Sequence, residues 1–225
     1  RFATFNGSGK IEISKKGLAS VDHAEKFIRE FSDKPFFINL WLHEAHLAHY
    51  PQPKFLKQFK DLNERERIYA SVIAEGDEGV GRILSLLKEL KIDNNTLVVF
   101  STDNGPEFTR DETHKYHGKT ESDGYGGYYS IGETGGLKGK KRSLFAGGIR
   151  VPFIVRWPGV VPKGVTDSTS VVTVVDLLPT FLDAAGVSPP TDYQPDGESI
   201  LSAFKGTPIK RTKPIFWEWR GGDNQ

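Results

Sequence analysis

Apolar residues recur along this chain with two different periods. Residues 36–42, Phe-Phe-Ile-Asn-Leu-Trp-Leu, form a nearly continuous apolar run between Pro35 and His43. Such a run predicts a strand in a sheet covered on both faces. Residues 64–90 then place Ile68, Val72, Ile73, Val80, Ile83, Leu84, Leu87 and Leu90 three or four apart, which predicts a helix. Gly76, Gly79 and Gly81 oppose it, because an interior glycine costs about 1 kcal/mol relative to alanine. Asp93, Asn94 and Asn95 turn the chain into residues 96–100, Thr-Leu-Val-Val-Phe, a second buried strand.

Between Pro106 and Gly139 no period survives among Gly, Tyr, Thr and charged residues. A loop of that length is usually functional or mobile. Strand character resumes over residues 148–157, GIRVPFIVRW, and stops at Pro158-Gly159. Residues 174–185 predict a helix ended by Gly186, with Pro189 and Pro190 beyond it. Residues 214–219, PIFWEW, alternate weakly and predict a strand of another sheet. Strands alternating with helices imply an α/β fold with a largely parallel sheet. There is no internal repeat and no low-complexity segment.

Composition then narrows the classes. With 30 basic and 29 acidic side chains among 225 residues the net charge is +1, whereas a general nucleic-acid binder is more basic. No apolar run approaches the ~18 residues of a membrane span. Cysteine is absent, which excludes a disulfide framework, a thiolate metal site and a thiol nucleophile, and leaves the compartment open. Methionine is also absent and the sequence opens at Arg1 without a signal peptide, as a processed or truncated piece would.

Three stretches could carry chemistry. "STDNGPEF" follows the second strand and sets Asp103 beside Asn104, at the carboxyl end of a strand where open α/β sheets bind ligands. A carboxylate and an amide oxygen suit a hard cation such as Ca²⁺ or Mg²⁺. Asn-Gly is equally a hairpin signal, although residues 106–112 offer no partner strand. "HEAHLAH", residues 43–49, fails the zinc-protease spacing, since its second histidine falls at i+3 rather than i+4. Its imidazoles are core or solvated residues, or one of them faces an anion at the strand's end. "GGLKGKKR" fails the phosphate-loop pattern, with Thr134 at the first glycine position and Lys141 at the Ser/Thr position. What remains is a solvated basic face or a lysine clamping an oxyanion. The sequons at Asn6 and Asn94 direct nothing.

In order along the chain, these pieces resemble the sulfatase family of the alkaline-phosphatase-like superfamily. "KPFFINLWLHEAH" is similar to the family's strand leading to a Pro-His pair. "YASVIAEGDEGVGRILSLLKELKIDNNTLVVFSTDNG" resembles its helix, turn and metal-binding strand. "GLKGKKRSLFAGGIRVPFIVRWPG" resembles the lysine-bearing segment, and "VVDLLPTFLDAAGV" with "DGESI" the helix and Asp-Gly turn that follow. The resemblance implies an alkaline-phosphatase-like α/β fold, a mostly parallel sheet flanked by helices and here incomplete. Residues 1–210 would be the C-terminal portion of the catalytic domain, and 211–225 the start of a small antiparallel subdomain.

The resemblance also implies roles. Asp103 and Asn104 match the pair that ligates Ca²⁺. His46 matches the histidine that meets the sulfate and assists the leaving group. Lys141, five positions before Ala146, stands where the family's sulfate-binding lysine precedes its glutamate. Ala45 and Ala48 replace prolines, and Ala146 replaces that glutamate, removing a carboxylate near the lysine. The formylglycine nucleophile arises in a Cys/Ser-x-Pro-x-Arg motif, and no such motif occurs here. The expectation is a sulfuric ester hydrolase acting on a small-molecule or glycan sulfate ester, with this piece lacking the nucleophile and inactive alone. The alternatives are a non-catalytic binder of sulfated or anionic glycans and a related phosphoryl-transfer enzyme. Sulfatases acting on glycans are often secreted, periplasmic or lysosomal, and residues 109–136, with His114 and His117, are the stretch expected to line the pocket.

Overall fold

The structure is a computed structural model that describes residues 2–6, 18–112 and 124–219. The chain divides into two compact units, the first comprising Arg1–Asp93 and Thr102–Val151, the second Asn94–Ser101 and Pro152–Asp223.

In the first unit, β1 (Phe2–Asn6) pairs in parallel with β2 (Phe37–Trp41), Phe2 opposite Phe37 and Asn6 opposite Trp41. Parallel neighbours need a crossover, and α1 (Ala19–Phe31) supplies it by packing against both strands. Val21, Ala24 and Ile28 are its buried stripe. The apolar pattern did not mark this helix, because its stripe contains an alanine and is interleaved with charges. The short helix α2 (Pro53–Gln58) starts on a proline, whose fixed φ suits the first turn, and buries Phe55.

The long predicted helix is α3 (Glu64–Glu89). Asn63 caps it by accepting the Glu66 N–H at 3.0 Å. Its buried face runs through Ile68, Ser71, Val72, Glu75, Gly79, Leu86 and Leu87, so Ile73, named by periodicity, is instead 44% exposed. Gly79 has a reason to be there: a Cβ would lie 2.9 Å from Leu18 Cδ2 and 3.0 Å from Val21 Cγ2, so α1 could not approach so closely. Arg82 of α3 ties the two helices, reaching Asp22 and Glu25 at 2.6 Å each.

In the second unit, β3 (Val98–Ser101) pairs antiparallel with β4 (Phe153–Arg156), Val98 opposite Arg156 and Ser101 opposite Phe153. One face of this ribbon, with Val99, Phe153 and Val155, packs on Ile200, Leu201 and Phe204 around α6 (Leu201–Phe204). On the other, Phe100 and Ile154 are exposed, so these strands are covered on one face only. The α/β class is seen in both units, with one parallel and one antiparallel strand pair.

Three expected boundaries change. Residues 148–152 do not join β4, since Ala146–Ile149 forms a helical turn, α4. The helix over 174–185 begins as a 3₁₀ turn, Val174–Asp176, and continues as α5 (Leu177–Ala184). It ends in a Schellman motif, Gly186 at φ 65° with Val187 N–H donating to Leu182 O. Residues 214–219 form no strand. At the start of α5, fully buried Asp176 accepts both Arg211 guanidinium bonds, at 2.6 and 2.7 Å, and the N–H groups of Thr173 and Glu198. Burial raises its carboxyl, but those donors and the Arg211 charge hold it below the ordinary range. No helix among the described residues is long and apolar enough to cross a membrane.

Candidate functional site

The turn that follows β3 in sequence orders its own side chains. Thr102 Oγ1 donates to Asn104 O at 3.2 Å, and the Asn104 N–H donates to Asp103 Oδ1 at 2.9 Å. Asn104 Nδ2 donates to Gly105 O at 2.9 Å. That commits the amide nitrogen to backbone and leaves Oδ1 as the end suited to a cation. Asp103 is exposed and Asn104 half-buried.

This turn is fused to the lysine-bearing loop. Gly105 N–H donates to Gly148 O at 2.8 Å, and a Cβ on Gly105 would fall 1.8 Å from Gly147 O. Gly147 N–H donates to Lys138 O at 2.7 Å, while its own Cβ would fall 2.0 Å from Gly139 O. Lys141 N–H donates to Pro106 O at 2.9 Å. The successive glycines are therefore needed for backbone approach that no side chain permits, and that packing is why Ala146–Ile149 coils instead of extending.

The four cations of the loop separate by partner. Lys138 Nζ lies 3.9 Å over the Phe145 ring, and Lys140 Nζ donates to Gly132 O at 2.8 Å. Arg142 donates to both Glu107 oxygens, at 2.6 and 2.9 Å. Lys141 Nζ lies 3.4 Å from His46 Nε2 and 3.8 Å from Glu107 Oε2. Glu107 is a site residue that sequence reasoning missed. Burial raises its carboxyl, but Arg142, the Phe108 N–H and the Lys141 charge bring it below the ordinary range.

The three histidines also separate. His49 is fully buried. Its backbone pairs with Tyr125 through two 2.8 Å bonds, its Nε2 lies 3.0 Å from Ser130 Oγ, and its ring meets Tyr69 edge-on at 5.7 Å. Burial, then the nearby His46, lowers its pKa to about 4, so it is a neutral core residue. His43 is partly buried, and burial followed by the His46 charge lowers its pKa. His46 is exposed, and its Nδ1 lies 2.6 Å from Leu47 O. A carbonyl only accepts, so Nδ1 carries the proton and Nε2 is the nitrogen left to exchange one.

The arrangement thus offers two hard oxygen donors on one turn and, on the loop bonded to it, an ammonium beside an imidazole. Among the described residues no three His, Cys, Asp or Glu side chains cluster in a way that could hold a metal. Asp103 and Asn104 fit Ca²⁺ by donor type, and a full set of 6–8 oxygens requires further ligands. His114 and His117 lie outside the described residues.

Comparison with known proteins identifies the family. The sulfatase sequence profile matches residues 19–187. Steryl-sulfatase from Rattus norvegicus is 33% identical over 195 residues, covering 85% of this chain and 30% of its own. N-acetylgalactosamine-6-sulfatase from Canis lupus familiaris is 33% identical over 207 residues, covering 89% and 34%. Among solved structures, Ps i-CgsB in complex with k-i-k-neocarrahexaose superposes with a TM-score of 0.69 at 27% identity, over 86% of this chain and 39% of that one. The PsFucS1 sulfatase from Pseudoalteromonas sp. gives 0.68 at 25% identity, over 89% and 37%. The chain spans about a third of the length of the curated relatives it matches.

Proposed function

This chain belongs to the sulfatase family, and from that premise we propose that the whole protein hydrolyses a sulfate monoester. In this reading Asp103 and Asn104 are two ligands of a calcium ion, and Lys141 and His46 meet the sulfate. The observation that carries it is the 3.4 Å approach of Lys141 Nζ to His46 Nε2, on a loop hydrogen-bonded to the Asp-Asn turn.

The chemistry follows from charge. As the S–O bond breaks, negative charge grows on the leaving oxygen and the sulfuryl oxygens, and fixed donors that meet it lower the barrier. Lys141 brings an ammonium with three N–H donors. His46, with Nδ1–H on Leu47 O, presents Nε2 to the site, and once Nε2 has taken up a proton the imidazolium can give that proton to the leaving oxygen. Calcium would supply a Lewis acid and template, and a formylglycine contributed from outside this sequence the nucleophile. Asp103 and Asn104 hold oxygens toward the ion, and Gly105 and Gly147 fix their distance from the lysine.

A sulfated glycan is the proposed substrate class, supported by a relative named for N-acetylgalactosamine 6-sulfate chemistry and by a structural neighbour in complex with a neocarrahexaose. The test is sulfate release from sulfated oligosaccharides by the full-length protein, with and without Lys141→Ala. Turnover lost in the variant supports the reading. Binding of the oligosaccharide without any turnover would favour a non-catalytic binder, and faster turnover of the matching phosphate ester a phosphoryl-transfer enzyme.

A further inference from the structure

We propose that Glu107 is a positioning residue, which together with Arg142 sets the ammonium of Lys141 against His46. The inference rests on the reading of Lys141 as the sulfate-binding cation.

Residues 106–107 run alongside residues 141–142, joined by backbone and by side chain. Lys141 N–H donates to Pro106 O, while Arg142 takes both oxygens of the next residue, Glu107. The Glu107 side chain is only 13% exposed while Arg142 is 45% exposed, so the carboxylate half of this charge-assisted bidentate pair is shielded from solvent. Arg142 sits at φ 66°, a left-handed conformation that side chains other than glycine resist. The pair with Glu107 holds that conformation, and with it the direction in which the Lys141 backbone sends its side chain.

The second half concerns the ammonium itself. Glu107 Oε2 is 3.8 Å from Lys141 Nζ, close enough to attract it and too long for a hydrogen bond. Arg142 and the Phe108 N–H hold the carboxylate in place, so Glu107 attracts the lysine from a fixed position without accepting a bond from it. Lys141 is drawn toward the carboxylate yet keeps its N–H groups for His46 and an incoming oxyanion. The arrangement is a tether rather than a quenching ion pair.

The experiment uses the full-length protein, with p-nitrophenyl sulfate for turnover and calorimetric titration with inorganic sulfate for binding, on Glu107→Gln, Glu107→Asp, Lys141→Ala and the Glu107→Gln/Lys141→Ala double variant. Glu107→Gln should lower kcat/KM by about tenfold or more, mostly in kcat, and weaken sulfate binding. Glu107→Asp, which keeps the charge, should recover part of the loss. Without Lys141 there is nothing to position, so the double variant should match Lys141→Ala within about twofold. Glu107→Gln within twofold of the parent, or losses that multiply in the double variant, would overturn the proposal. If Lys141→Ala itself changes neither turnover nor sulfate binding, the reading of the site fails instead. Should Glu107→Gln not fold, Arg142→Gly keeps the left-handed backbone, removes the two bonds that fix the Glu107 carboxylate, and should also lower kcat/KM and sulfate affinity; unchanged values overturn the proposal equally.

Discussion

Gly105 and Gly147 touch backbone to backbone: a Cβ on Gly105 would lie 1.8 Å from the Gly147 carbonyl oxygen. The contact joins the Asp103–Asn104 turn to the Lys141 loop, and the Gly105 N–H bond to Gly148 O seals it. The carboxylate and amide oxygens of the turn and the ammonium nitrogen of the loop are thereby kept at one spacing by main chain.

Gly105→Ala is therefore expected to destabilise the protein by at least about 3 kcal/mol, the upper range for overpacking, because the obstacle is backbone and cannot rotate away. Gly81→Ala is the control. Nothing lies within 4 Å of a Cβ at Gly81, and within a helix it should stabilise by about 0.5–1 kcal/mol. Urea unfolding of both variants measures the difference, and an unchanged midpoint for Gly105→Ala would show that the two segments do not pack in solution.

Asp103→Ala in the full-length protein should abolish sulfate release and weaken calcium binding by calorimetry, while the far-ultraviolet circular dichroism stays that of the parent. Its side chain is exposed and its Oδ1 serves only the local turn, so folding loses little. Retained activity would remove Asp103 from the site.

Glu75 predicts a pH dependence of stability. Burial above all, then Glu44 and Glu78 against the opposing effects of Lys54 and the Gln52 N–H, pushes its carboxyl up to about 7 from 4.5. Between these values the unfolded chain gives up the proton first, so the folded state loses stability as pH rises. The penalty is absent below the unfolded value and complete above about 7. Glu75→Gln should thus stabilise by up to roughly 3 kcal/mol at pH 8 and do nothing at pH 4. Denaturant melts at the two pH values decide it, and an equal effect at both would refute the assignment.

In the second unit, Arg211→Met should cost about 3–5 kcal/mol, because it strands the Asp176 carboxylate in the interior. The Asp176→Asn/Arg211→Met double variant should recover part of that loss, since no charge is left without its partner. Chemical denaturation of the three proteins is the measurement, and a milder single than double variant would contradict it.

The sequence made legible those elements whose local pattern agrees with their final environment. Helix α3 follows its period, the apolar runs locate β2 and β3 although Phe37, Trp41 and Phe100 are exposed rather than covered, and Asp103–Asn104 reads directly as a turn with hard oxygen donors. Helix α1 escaped because Val21, Ala24 and Ile28 make a thin stripe that becomes core only against β1, β2 and α3 together. The coiling of residues 146–149 is set by glycine contacts with residues 137–140 and 143, which no local pattern announces. Which of three histidines faces the lysine was equally closed to local reading, since Ser130, 81 residues away, claims His49. Glu107 and Arg142 are 35 residues apart, at a spacing with no period, so their pairing becomes visible only once the turn and the loop are packed.

The outer crest of the lysine loop is built differently from its base. Leu144 and Phe145 are 48% and 51% exposed, while the main-chain bonds made by Lys141, Gly147 and Gly148 lie beneath them. Leu144 can be exchanged without disturbing that main-chain frame, whereas Phe145 also holds the Lys138 ammonium 3.9 Å over its ring. Saturating position 144 would therefore vary the surface of the loop while its backbone frame stays the same. In the proposed reading, the fold thus separates a main-chain frame that has to stay constant from a surface position that is free to drift.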